Sequence, residues 1–200
     1  MNQVLFVSEA KLKENTDVLE NVDTKFIRNA ILRVQRTKCL GVIGSDLYDQ
    51  IESLIINGTI GDAANSVYKN LLDNELQQAT MAFATAELFT TVSYKLTTKG
   101  ALQFANENST ALDLDQIKYM VGRYEDQGEY WLVRMRSYCT QFSKTGQLPE
   151  YLNPDYNDDR TIGPDRRIPW YNQIYLRGRP YQGSPGYWKY QDNLPSNPGS

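Results

Sequence analysis

The sequence predicts an all-α fold: an antiparallel helical bundle with a long irregular C-terminal arm. Three observations carry this. Apolar residues recur at three- and four-residue spacing through most of residues 1–148. Helix-capping residues punctuate the pattern at Asp23, Ser45 and Asp113. All eight prolines fall at or after Pro149, and proline removes a backbone donor and clashes with the preceding helical turn. The expected division is a helical domain over residues 1–148 and an extended arm, rich in Pro, Gly and Tyr, over residues 149–200.

The elements follow in order. Asp23 is expected to cap a helix over residues 24–40, with Phe26, Ile27, Ala30, Ile31, Val34 and Leu40 on one buried face. Gly41 is expected at its C-terminal position with positive φ. Ser45 is expected to cap the next helix, with Leu47, Tyr48, Ile51, Leu54 and Ile55 turned inward. "NGTIGD", residues 57–62, reads as a loop. A long helical stretch is expected over residues 63–98, with a break near Asp73 and Asn74. Leu71, Leu72, Leu76, Ala79, Phe83, Ala86, Phe89 and Tyr94 supply its apolar face, and Lys99 and Gly100 close it.

Residues 101–113 read as a connector open to a short strand. Asp113 with Gln116 fits a capping box for the last helix. That helix carries Leu114, Ile117, Val121, Tyr124, Trp131, Leu132, Met135, Tyr138, Cys139 and Phe142, and ends at Gly146. At 1.5 Å per residue it would be roughly 45 Å long. Long helices joined by short turns point to a bundle.

Composition narrows the chemistry. The net charge of -3 argues against a generic nucleic-acid binder, which would carry a basic excess. No apolar stretch of about 18 residues is present to span a membrane. The start "MNQVLFVSEAKLKEN" lacks the cationic region and cleavage pattern of a signal peptide. Cys39 and Cys139 lie in helical apolar patterns and read as buried, reduced thiols. Histidine is absent, which removes the commonest general base and metal ligand. No catalytic constellation, cofactor site or metal site is expected.

Four motifs carry weaker signals. "GVIGS", residues 41–45, lacks the lysine and spacing of a phosphate loop and reads as a helix–helix joint. In "DYNDDRTIGPDR", residues 155–166, Asp155, Asn157 and Asp159 match the first ligands of a calcium loop. Arg160 and Arg166 stand where that loop needs glycine and glutamate, so an acidic, turn-forming linker is the expectation. Asn57-Gly58-Thr59 and Asn108-Ser109-Thr110 match glycosylation acceptors by chance. Asp113 and Asp115 read as partners of a helix N-terminus rather than a catalytic pair.

The arm departs most from an ordinary tail. It holds seven of the fourteen tyrosines, with Trp170 and Trp188, and Arg166, Arg167, Arg177 and Arg179 among them. Disordered tails are poor in aromatics, whereas interfaces are enriched in Tyr, Trp and Arg. The expected interface residues are Trp170, Tyr171, Tyr175, Arg177, Arg179, Tyr181, Tyr187 and Trp188. Two placements stay open: the arm folds back on its own domain, or it lies across another subunit.

The order of motifs adds a resemblance. "NVDTKFIRNAILRVQRTKCLGVIGSDLYDQI", residues 21–51, resembles a stretch of tailed-phage head–tail connector proteins, the adaptors that dock under the portal ring. The matching positions are Asp23, Ile27, Ile31, Gln35, Leu40, Gly41, Leu47 and Tyr48. "VYKNLLDNELQQATMAFATAEL", "TTKGALQ" and "YCTQFSKTGQLPEYL" are similar to the version in phages of Bacteroidetes hosts, including crAss-like phages. The resemblance covers about the first three quarters of the chain. It implies a non-enzymatic helical-bundle subunit of a virion, made in the host cytoplasm and placed at the head–tail junction. Its partners would be itself in a ring, commonly of twelve, the portal protein and further tail or ring proteins. DNA would pass through the lumen without sequence-specific binding, and no membrane would be involved. A tail-completion or second connector ring is the alternative within virions, and a soluble helical regulator of one partner protein is the alternative of another class.

Overall fold

The computed structural model describes residues 4–18, 22–97, 100–103, 114–155 and 161–165. Its contacts divide the chain into two units, Met1–Arg167 and Ile168–Ser200. The second lies outside the described residues. The first is an antiparallel helical bundle, as expected, with one short hairpin.

The chain enters through α1 (Glu9–Asn15), capped by Ser8, whose hydroxyl accepts the Lys11 amide at 3.1 Å. This helix is too short for its periodicity to show in the sequence. α2 (Thr24–Val34) begins as expected, with Asp23 accepting the Lys25 amide at 2.9 Å. The helical path does not stop at Leu40. A π turn (Gln35–Cys39) leads directly into α3 (Leu40–Ile43), so Gly41 is helical. The positive φ falls instead on Gly44, at +83°. The π turn inserts one extra residue and re-aims the apolar face. The inward stripe therefore continues from Ile27, Ile31 and Val34 to Gln35, Cys39, Val42 and Ile43.

Gly44 is also the residue before α4 (Ser45–Ile56), so Ser45 is the first helical residue and not the cap. Its hydroxyl accepts the Ile162 amide instead. The inward set Leu47, Tyr48, Ile51 and Leu54 is buried as expected.

After the loop, a 3-10 turn (Ala63–Asn65) opens α5 (Ser66–Leu71). The break expected near Asp73 and Asn74 is a second π turn (Leu72–Leu76), through which the helix passes without interruption into α6 (Gln77–Ser93). α6 is the centre of the bundle. Ala79, Met81, Ala82, Phe83, Ala84, Ala86 and Leu88 are buried around its circumference, as befits a helix enclosed by others. The buried hydroxyls of Thr80 and Thr85 bond back to the carbonyls of Leu76 and Met81, so neither is left unsatisfied.

The helix expected to reach residue 98 ends at Ser93. β1 (Tyr94–Thr97) pairs antiparallel with β2 (Gly100–Gln103), Tyr94 opposite Gln103 and Thr97 opposite Gly100. Tyr94 is thus a strand residue instead of part of the helical face, and Gly100 opens a strand instead of closing a helix. Tyrosine and threonine are residue types that favour a pleated backbone, and they stand at the two ends of β1.

α7 (Leu114–Lys144) packs along α6 and buries Ile117, Tyr124, Leu132, Met135 and Cys139. Asp113, its expected cap, lies outside the described residues. The turn after α7 uses Gly146 at φ +75°, as expected. α8 (Pro149–Leu152) follows with Pro149 in its first turn, where the missing amide costs nothing. Leu148 and Tyr151 belong to the main core. The core therefore continues past the expected boundary at residue 148: the first proline starts a helix.

Candidate interaction surfaces

Three places in the described domain carry polar chemistry beyond packing. The first is a seat at the α3–α4 corner. The Ser45 amide, one of the donors that a helix start leaves without an intrahelical acceptor, donates to the Ile162 carbonyl at 2.8 Å. The Ile162 amide donates to Ser45 Oγ at 2.9 Å, and the Asp165 amide to the Gly41 carbonyl at 3.1 Å. Gly44 leaves room for Pro164: a Cβ there would lie 2.9 Å from Pro164 Cδ. Arg136 of α7 is 8% exposed and reaches Asp165 Oδ2 with Nη2 at 3.4 Å. Its Nε and Nη1 are buried and have no hydrogen-bond partner among the described residues. The "GVIGS" motif is thus a joint, as expected, and also a receptor for residues 162–165.

The second is a clamp on the N-terminal segment. Gln35, fully buried in the first π turn, accepts the Phe6 amide at 3.0 Å and donates to the Val4 carbonyl at 3.2 Å and to Tyr48 Oη at 3.3 Å. Gln77 donates to the Phe6 carbonyl at 2.9 Å. The two carboxamides stand in for a neighbouring strand along this segment's backbone.

The third is the outer face of α7. Tyr119 is 71% exposed and Tyr130 57%. Their separation is close to three full helical turns, so both point the same way. Tyr130 meets Trp131 edge-on, with centroids 5.3 Å apart, and the Arg134 guanidinium lies 4.9 Å from the Trp131 ring centre. Arg134 also holds Glu75, which is buried in the second π turn, through Nε at 3.1 Å and Nη2 at 3.0 Å.

Nucleophilic chemistry finds no support in the two thiols. Burial pushes Cys39 up to about 11 despite a contact with the Thr80 hydroxyl. Burial, reinforced by the negative charge of Glu75, pushes Cys139 up further still. A thiol so raised is protonated at neutral pH and a poor nucleophile. Glu87 is raised by burial and pulled back by its ion pair with Arg33. It lines a cleft of about 250 Å³ with Val34, Lys38, Phe83 and Val121. Among the described residues no group of three or more acidic or cysteine side chains is placed to hold a metal ion. Of the calcium-like motif, Asn157 and Asp159 lie outside the described residues, and the Asp155 amide donates to Asp46 Oδ2 at 2.5 Å.

A family model described as a family of unknown function, DUF6712, matches residues 39–161. The chain belongs to this family. The DUF6712 stretch begins inside the first π turn and takes in the α3–α4 corner, both later long helices and α8. No curated protein and no solved structure matches the chain.

The interface residues expected from the arm, Trp170, Tyr171, Tyr175, Arg177, Arg179, Tyr181, Tyr187 and Trp188, all lie outside the described residues. Arg136 and Gln77 are working residues that the sequence does not single out, and Gln35 enters there only as a matching position of the resemblance. Gln35 has a legible signal: it occupies an inward position four after Ile31 and four before Cys39. Arg136 has none, because the segment that partners it is remote in sequence.

Proposed function

We propose that this DUF6712 chain is a non-enzymatic structural subunit of a phage virion, a head–tail connector that forms a ring beneath the portal. The reading rests on one observation, the ordered set of motifs from Asp23 to Leu152 that resembles connector adaptors. Two further features agree with it. The exposed Tyr119 and the Tyr130–Trp131–Arg134 cluster on α7 have the composition of an interface core, and a lateral neighbour would bury them. The arm supplies further aromatic and arginine anchors. Rings on tyrosine and tryptophan bring area at low entropic cost, and the arm's prolines reduce the freedom lost on ordering.

In this role DNA passes the lumen without being gripped, since a net charge of -3 offers no cationic excess to neutralise phosphates. The partners are further copies, the portal protein and other tail or ring proteins.

Native mass spectrometry and electron microscopy of the full chain, alone and with portal protein, test the reading. Closed rings, or rings that form on the portal, are expected. A monomer that ignores portal overturns it and favours a soluble regulator. Replacing Trp170, Tyr175, Tyr181, Tyr187 and Trp188 by serine in the full chain tests the arm. Each lost anchor is worth roughly 2–4 kcal/mol, so assembly should fail while the helical circular dichroism stays unchanged. Assembly at wild-type strength would remove the arm from the proposal.

A further inference from the structure

We propose that the corner formed by Gly41, Gly44, Ser45 and Arg136 is a peptide-binding site for an extended Ile-Gly-Pro-Asp segment. It is selective for the carboxylate that follows the proline, and residues 162–165 of the chain itself occupy it at rest.

The recognition divides into two parts. Along the segment, the backbone is read: Ser45 exchanges two hydrogen bonds with Ile162, and the Gly41 carbonyl takes the Asp165 amide. Such bonds give affinity without regard to side chains. Two positions then supply selectivity. Gly44 makes a notch that Pro164 fills, because any Cβ at residue 44 would meet the proline ring. Arg136 requires an anion. A guanidinium that is 8% exposed is costly to bury unless it is paired, and Asp165 is its ion-pair partner here.

The same geometry shows that the seat is not saturated. A guanidinium carries several N–H donors in a fixed fork, and Asp165 meets that of Arg136 through one long contact of 3.4 Å. Nε and Nη1 remain without partners among the described residues. A carboxylate seated more squarely would take two parallel bonds. The resident segment also contributes no side chain to the main core, and Ile162 is 49% exposed. Its departure would empty the surface notch at Gly44 and leave the main core intact. Within the corner the segment is held by three hydrogen bonds, the proline in its notch and one under-used cation, a set that a second segment of the same sequence can match. The site is the same whether or not the chain forms rings.

The Ser45 amide reports occupancy, because the first residue of a helix has no acceptor within the helix and Ile162 supplies one. Residue-resolved hydrogen exchange on the full chain is therefore the test. In wild type the Ser45 amide should be protected. Asp165→Asn should speed its exchange by about tenfold or more while Ile51 and Leu54 inside α4 stay slow. Millimolar acetyl-Thr-Ile-Gly-Pro-Asp-amide added to Asp165→Asn should restore Ser45 protection, and the peptide ending in Asn should not. The double variant Arg136→Gln/Asp165→Asn removes the buried cation together with its partner. It keeps the test valid if the single variant loses α4, and neither peptide should protect its Ser45 amide. Continued protection of Ser45 in Asp165→Asn, or in the double variant where the single one loses α4, overturns the proposal. So does failure of the Asp peptide to protect a folded Asp165→Asn, or equal protection by the two peptides.

Discussion

The carboxamide oxygen of Gln35 accepts the amide of Phe6 at 3.0 Å, twenty-nine residues away in sequence and inside the core. A fully buried glutamine is tolerated only if its polar atoms are satisfied, and here the N-terminal segment satisfies them. The dependence is mutual: without Gln35 the Phe6 amide loses its acceptor, and without the segment Gln35 keeps only Tyr48 as a partner.

Gln35→Met keeps the volume and removes the bonds to Phe6, Val4 and Tyr48. The Phe6 amide then loses its acceptor in the core, which costs roughly 1–3 kcal/mol. Gln35→Ala adds a cavity and should cost about 2–5 kcal/mol. Urea titration measures both. A change below about 0.5 kcal/mol for the methionine variant, the scatter of ordinary surface substitutions, would show that the clamp does not matter to stability.

Gly128→Ala should destabilise, against the ordinary trend. In an open helix alanine gains about 1 kcal/mol over glycine. Here a Cβ would come within 2.5 Å of Cε2 of Phe83, whose ring is buried and covered by Lys38. Overpacking of this kind costs roughly 1–3 kcal/mol. Thermal melts should show a lower midpoint, and Phe83→Leu in the same chain should recover part of the loss. A raised midpoint for Gly128→Ala alone would mean that the ring yields freely.

Two glycines of the α3–α4 corner should respond with opposite sign. Gly41 is helical, and a Cβ added there would meet nothing within 4 Å, so Gly41→Ala should stabilise by about 0.5–1 kcal/mol. Gly44 has φ +83° and Pro164 against it, so Gly44→Ala should cost about 1–3 kcal/mol. Chemical denaturation of the pair decides it. Equal effects would contradict the backbone assignment of the corner.

Alkaline pH should weaken the fold through Cys39. Burial raises this thiol from 9.0 to about 11. The unfolded chain thus releases the proton first, and unfolding is favoured as pH rises. The contribution is whole below about pH 9 and is lost between about 9 and 11, on the order of 2–3 kcal/mol in all. Cys39→Ser, which retains a partner for the Thr80 hydroxyl, should flatten that part of the stability–pH curve. An unchanged alkaline slope in the serine variant would assign the loss to other groups.

The helical class, the inward faces of α2 and α4, the Asp23 cap and the Gly146 stop are legible in the sequence because each depends on neighbours within a few positions. Periodicity reports a face, and a cap needs only the next turn. The two π turns are not legible. They put Gln35 and Glu75 inside the bundle, where Phe6 and Arg134 meet them, and no local rule requires an extra residue in a helix. Serine suits a cap by residue type, yet the hydroxyl and amide of Ser45 are both taken by Ile162.

Composition and short-range spacing were enough to make this chain a set of amphipathic helices, to bury its two thiols and to confine its prolines to the last quarter. Packing in three dimensions was needed to set where the helices bend into π turns and which polar residues are buried. It also brought Arg136 beneath the α3–α4 corner to a carboxylate twenty-nine residues downstream. The physical reason is that a buried polar group must find its partner wherever the packed chain brings one, and that distance is not written in any local pattern.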